Sequence, residues 1–173
     1  MLDRINCFKI IKDHIGTLRD LNSNRSGIYL PDLLLFFIFP VTIALALAYY
    51  NCSLIDHITD FITAISIIGG FLFNLLAIIY GLMEKLNADA VGDRLKSIFV
   101  SEVHINISFN ILVSFVLLVT LIIYSYFIKV RMFYLIHDAI NFVLTSLIYF
   151  LIIVFALTML MILNRIYILL KKG

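Results

Sequence analysis

The sequence predicts an all-α integral membrane protein with four transmembrane helices and an N-terminal amphipathic cytoplasmic helix, on three observations. Of the 173 residues, 63% are hydrophobic and only 14% are charged, whereas a soluble domain carries about 25% charge. The charges avoid four blocks, Leu33 to Ile55, Phe61 to Met83, Val103 to Ile128 and Ala139 to Asn164, which hold 23, 23, 26 and 26 residues. About 20 apolar residues cross a bilayer core, so each block is long enough to span. Finally, the 13 Lys and Arg residues fall 11 to 2 on alternate sides of these blocks. Cytoplasmic loops are the ones enriched in Lys and Arg, so the chain is expected to be multi-pass with both termini in the cytoplasm.

Residues 1–30 form the cytoplasmic leader. Ile5, Phe8, Ile11, Ile15 and Leu18 recur at spacings of three and four with Lys9, Lys12, Asp13, Arg19 and Asp20 between them, the pattern of an amphipathic helix. Its apolar face is expected at the lipid interface or against another part of the assembly. Turn formers from Asn22 to Gly27 end it, and Pro31 suits a first helical position. No cleavable signal peptide is expected, because the first long apolar run begins near Leu33.

The remaining domain, 31–173, divides into spans at about 31–50, 58–86, 90–128 and 136–168. Pro40 lies inside the first and removes a backbone hydrogen bond, so a kink or a covering neighbour is expected. The loop that follows is short and acidic, with His57 between Asp56 and Asp60. Residues 84–102 contain no proline and mix apolar with charged side chains. They read as a cytoplasmic helical hairpin formed by spans two and three, turning near Asn87 to Gly92. Cys7 and Cys52 fall on opposite sides of the membrane in this topology, so no disulfide joins them within one chain.

Catalytic signatures are absent: there is no Walker-type loop, HExxH, GxSxG or CxxC. The four histidines have no partner at metal-ligand spacing. No enzyme activity, cofactor or metal is therefore expected. The informative residues lie inside the spans. Thr63, Ser66, Gly70, Asn74, Ala77 and Gly81 follow at spacings of three and four and give span two one small, weakly polar face. Glu102, Asn106, Asn110 and Ser114 follow at spacings of four and give span three a second polar stripe. Two readings fit. Small residues and Asn side chains make packing seams between helices. The same groups line a water-filled path in an oligomer, because buried amides are costly to leave facing lipid. On the second reading Glu102, Asn106, Asn110 and Ser114 are the pore-lining residues, opposite Asn74.

The cytoplasmic cations admit two readings as well. Lys9, Lys12, Arg19 and Arg25, with Lys85, Arg94 and Lys96 of the hairpin, suit anionic lipid headgroups. Repeated around an oligomer, they form a ring able to bind an anionic nucleotide or oligonucleotide.

Two segments, DLLLFFIFP at Asp32 to Pro40 and ITAISIIGGFLFNLLAIIYGL at Ile62 to Leu82, follow the basic amphipathic leader. With this layout, the first half of the chain resembles small four-span membrane effectors of bacterial antiphage defence systems, nearest the Hailong membrane effector. The resemblance implies an oligomeric channel kept silent by a DNA-oligomer signal from a partner nucleotidyltransferase. The functional expectation is thus a homo-oligomeric channel effector, with a tetramer favoured, gated from the cytoplasm and dissipating the ion gradient. The alternative is a non-conducting scaffold that recruits a soluble partner through residues 1–25 and 84–102.

Overall fold

A computed structural model describes residues 6–18, 34–50, 54–88, 94–129 and 134–171, and among these residues the structure is helical with no strand. Helix α1 is Cys7–Thr17, α2 is Phe39–Tyr49, α3 is Ile58–Ala88, α4 is Arg94–Lys129 and α5 is Tyr134–Lys171. The turn expected near Asn87 to Gly92 lies largely outside the described residues, as do Arg19 and Arg25.

Three helical stretches, Ile55–Lys85, Lys96–Phe127 and Asp138–Leu169, are long and apolar enough to cross a membrane. Their outward side chains support a lipid environment: Phe71 is 68% exposed and Phe115 and Leu163 are each 64% exposed, whereas soluble monomers rarely present large contiguous apolar patches to water. The 31, 36 and 38 residues of α3, α4 and α5 rise about 46, 54 and 57 Å, well beyond a hydrocarbon core of about 30 Å.

The first expected span is a shorter apolar helix, Leu34–Tyr49. Its opening turn, Leu34–Ile38, is π-wound before α2 continues as a regular α-helix. Pro40 explains the change. It has no N–H to give the carbonyl of Phe36, and its ring presses on that carbonyl, so a wider turn relieves the clash. Pro40 is also fully buried, with α2 packed chiefly on α5.

Helix α4 is the centre of the bundle, packed on α3, α5 and α1. Its buried positions, Val103, Asn106, Ile107, Asn110, Val113, Ser114, Leu117, Leu121 and Tyr124, recur at spacings of one, three and four residues, the pattern of a helix seam. Three contacts fix the register. Glu102 pairs with Arg165 of α5, the Thr145 hydroxyl of α5 donates to Tyr124 Oη at 3.2 Å, and a Cβ added at Gly69 of α3 would lie 3.4 Å from Ser114 Oγ. The two contacts with α5 set it antiparallel to α4.

Candidate functional site, a polar lock at the α1 end of the bundle

Helix α1 is set by its two ends. Asn6 caps the first turn, its Oδ1 accepting from the Lys9 N–H at 3.1 Å, as a short amide side chain does at a helix start. At the other end, Arg165 Nη2 of α5 donates to the Thr17 carbonyl at 2.8 Å. A guanidinium there satisfies an orphan carbonyl and complements the negative end of the helix dipole. The same Arg165 donates through Nη1 to the Glu102 carboxylate. One side chain thus ties α1, α4 and α5 together.

One turn deeper, Asn106 is 0% exposed. Its Oδ1 accepts from His14 Nδ1 at 2.9 Å, and lies 2.9 Å from the Thr17 hydroxyl. That hydroxyl is also 2.7 Å from the His14 carbonyl, so its single hydrogen is shared between two acceptors. The His14 ring stacks on Phe109, with centroids 3.8 Å apart and planes 3° apart, and meets Phe36 edge-on at 6.1 Å. Burial in this apolar setting disfavours imidazolium, and nearby Arg165 adds to that effect against the hydrogen bond that His14 donates to Asn106. Together they push the His14 pKa down from 6.5 to about 4. His14 is therefore neutral at physiological pH, with Nδ1 as the donor.

Below this layer the polar stripe loses its partners. Asn110 is 0% exposed, and among the described residues neither its Nδ2 nor its Oδ1 has a hydrogen-bond partner; Asn106 Nδ2 also lacks one there. The register set by Glu102 with Arg165 and Tyr124 with Thr145 puts Thr158 level with Asn110, but the Thr158 hydroxyl donates to the Val154 carbonyl of its own helix at 2.8 Å. Ser114 likewise donates to the Ile111 carbonyl at 2.8 Å. The α4 stripe from Glu102 through Asn106 and Asn110 to Ser114 is therefore enclosed within one chain.

The α3 stripe faces the other way. Thr63, Ser66, Gly70, Asn74 and Ala77 are exposed, Gly81 is half-buried, and nothing stands within 4 Å of a Cβ added at Gly70 or Gly81. Asn74 lies at the middle of α3 on this exposed face, whereas the α4 amides Asn106 and Asn110 are buried. Thr63 and Ser66 donate to the carbonyls of Thr59 and Ile62 at 2.8 and 2.7 Å, which leaves their outer surfaces only weakly polar.

Of the cations expected to meet lipid or an anionic ligand, Lys9, Lys12 and Lys85 are exposed and Lys96 is half-buried. His14, Thr17 and Arg165 were not read as site residues from sequence. The spacing of His14 and Thr17 on one face of the leader was available, but their partners lie 92 and 89 residues away. No known family, curated protein or solved structure matches the chain.

Proposed function

We propose that the chain is a four-span inner-membrane effector that assembles into a homo-oligomeric ion-conducting path and is controlled from the cytoplasm through α1. The observation that carries this reading is the uncovered face of α3. Asn74 sits at the middle of a helix long enough to span, and among the described residues no other element covers it. A primary amide facing hydrocarbon is costly, so polar groups at this depth face protein or water. A closed ring of copies supplies both, because identical subunits assemble with closed symmetry. A tetramer is favoured. In this assembly Asn74, with Thr63, Ser66 and Gly70 on the turns that precede it, borders the shared path, while the enclosed α4 stripe holds each subunit together.

Control enters at the other polar cluster. Helix α1 is held by polar contacts from Asn106 and Arg165 to His14 and Thr17 beside its half-buried apolar face, and Lys9 and Lys12 remain exposed on it. An anionic nucleotide or DNA oligomer bound by these cations, with Lys85 and Lys96 near the same end, biases the docked position of α1 and so the path. The resemblance to antiphage effectors supports a signal of this class. The test is ion flux across liposomes containing the purified chain, followed with a potential-sensitive dye, with and without short oligodeoxynucleotides. Flux that an oligodeoxynucleotide alters supports the reading, whereas absence of flux from a folded oligomer overturns it.

The alternative is a non-conducting scaffold, favoured by the reach of α3 and α4 beyond a bilayer core, which offers a helical surface to a soluble partner. The same flux measurement separates it from a channel.

A further inference from the structure

Between α1, the π-wound turn of the first span, α4 and α5 lies a cavity of about 240 Å³. Ile11, Ile15, Phe36, Phe109, Leu112 and Phe150 form most of its wall, and among the described residues His14 is its one polar contributor. The His14 ring is engaged on Phe109 and Phe36, and its Nδ1 donates away to Asn106. Such a space does not hold water, which needs two to four polar partners; an apolar cavity of about 150 Å³ already stays dry and admits hydrocarbon. The cavity opens on the perimeter of the bundle, because Phe37 and Val116 both line it and are exposed.

We infer that this cavity is a binding site for one acyl chain of an anionic phospholipid from the bilayer, an inference that rests on the membrane placement proposed above. Three features select this occupant. The mouth opens where the surrounding surface is apolar and lipid-facing, so hydrocarbon is the neighbouring phase. One wall is α1 itself, through Ile11 and Ile15, and Phe8 extends the same stripe while 84% exposed. That helix therefore lies at the level where chains meet headgroups. Charge then chooses among lipids: Lys9 and Lys12 are exposed on the helix that walls the cavity, Lys12 directly after Ile11, and they complement a headgroup phosphate without a neutralising amine.

The consequence is regulatory. A chain in the cavity packs against Ile11 and Ile15 and supports α1 beside the polar lock, so α1 docks on a composite of protein and lipid. Losing the lipid weakens docking without touching Arg165, Glu102 or Asn106.

The chain contains no Trp, so a single introduced Trp reports on its surroundings. Phe150→Trp places one on the cavity wall and Phe115→Trp places one on the exposed side of α4 near the same depth. Both variants are reconstituted with phosphatidylglycerol or phosphatidylcholine brominated on the acyl chain, diluted into unbrominated phosphatidylcholine. The site predicts that brominated phosphatidylglycerol half-quenches Phe150→Trp at a several-fold lower mole fraction than it needs for Phe115→Trp. It also predicts no such gap for brominated phosphatidylcholine, and loss of the gap when Lys9→Gln and Lys12→Gln are added. Equal curves for both lipids at both positions would mean that the cavity sees bulk lipid only, and no quenching of Phe150→Trp would mean that no chain enters; either overturns the inference. Should Phe150→Trp fail to fold, Phe37→Trp at the mouth is the equivalent probe. The readout is independent of ion flux, so a non-conducting protein leaves this result standing.

Discussion

Arg165→Met separates the two tasks that one guanidinium performs. The bond from Nη2 to the Thr17 carbonyl, 2.8 Å long and half-sheltered from solvent, is charge-assisted, and hydrogen bonds to charged groups contribute about 1.5–3 kcal/mol. Losing the favourable charge at the end of α1 adds a few tenths more. A loss of about 2 kcal/mol corresponds to about a 30-fold fall in the docking equilibrium of α1. Glu102→Gln is the informative companion. It weakens the Arg165 pairing, yet a Gln oxygen still accepts from Nη1 and the bond to Thr17 stays in place. Hydrogen exchange of the α1 amides in nanodiscs reads the difference. Exchange should accelerate by about one to two orders of magnitude in Arg165→Met and by no more than a few-fold in Glu102→Gln, with α3 to α5 still protected in both. Unchanged α1 protection in Arg165→Met would refute the lock, and an equal effect of the two substitutions would mean that the pair acts on the bundle and not on α1.

Other outcomes follow from the same geometry. The folded pKa of His14, near 4, lies below the 6.5 of an exposed imidazole, so the undocked helix binds more protons between those values. Docking is complete above about pH 6.5 and weakens as the pH falls toward 4, by at most about 3 kcal/mol. Arg165 and Glu102 are the charged groups beside it, and His14→Phe should flatten the acid limb of α1 hydrogen exchange. Asn110→Leu removes a buried amide with two unpartnered atoms, whose desolvation costs about 1–3 kcal/mol, so it should leave thermal stability unchanged or raise it; a large fall in Tm would mean that Asn110 is partnered in the membrane. Adjacent glycines should part company. Gly69→Leu drives a side chain into Ser114 and should destabilise the subunit by about 1–3 kcal/mol or more, whereas Gly70→Leu meets open space within the chain and should fold normally but disturb assembly. Thermal melts and native mass spectrometry separate those two results.

The long apolar helices were legible because freedom from charge over 23 to 26 residues leaves few alternatives. Pro40 was legible as a disturbance, although its form, a π-wound turn starting at Leu34, depends on how neighbouring helices accommodate the ring. The stripes on α3 and α4 were equally visible as periodicities, and nothing in a periodicity tells which face turns inward. Their directions are opposite: α4 is the central helix and encloses Asn106 and Asn110, whereas α3 packs along Ile65, Leu72 and Ile79 and leaves Asn74 outside. The lock was the least legible part. Arg165 counted among the charges that set topology, and its partners Glu102 and Thr17 are 63 and 148 residues away in sequence. Only the folded bundle brings a leader helix, a central helix and the end of the last helix to one guanidinium.

If the exposed face of α3 borders a conducting path shared between copies, Asn74→Leu changes the path itself. Oligomer size by native mass spectrometry and ion flux in liposomes are measured on the same preparations. The oligomer should keep its size while its flux falls about tenfold or more, because an apolar ring at mid-membrane expels water from the path. Full flux from an intact Asn74→Leu oligomer, or a monodisperse monomer for the unmodified chain in nanodiscs, would contradict it.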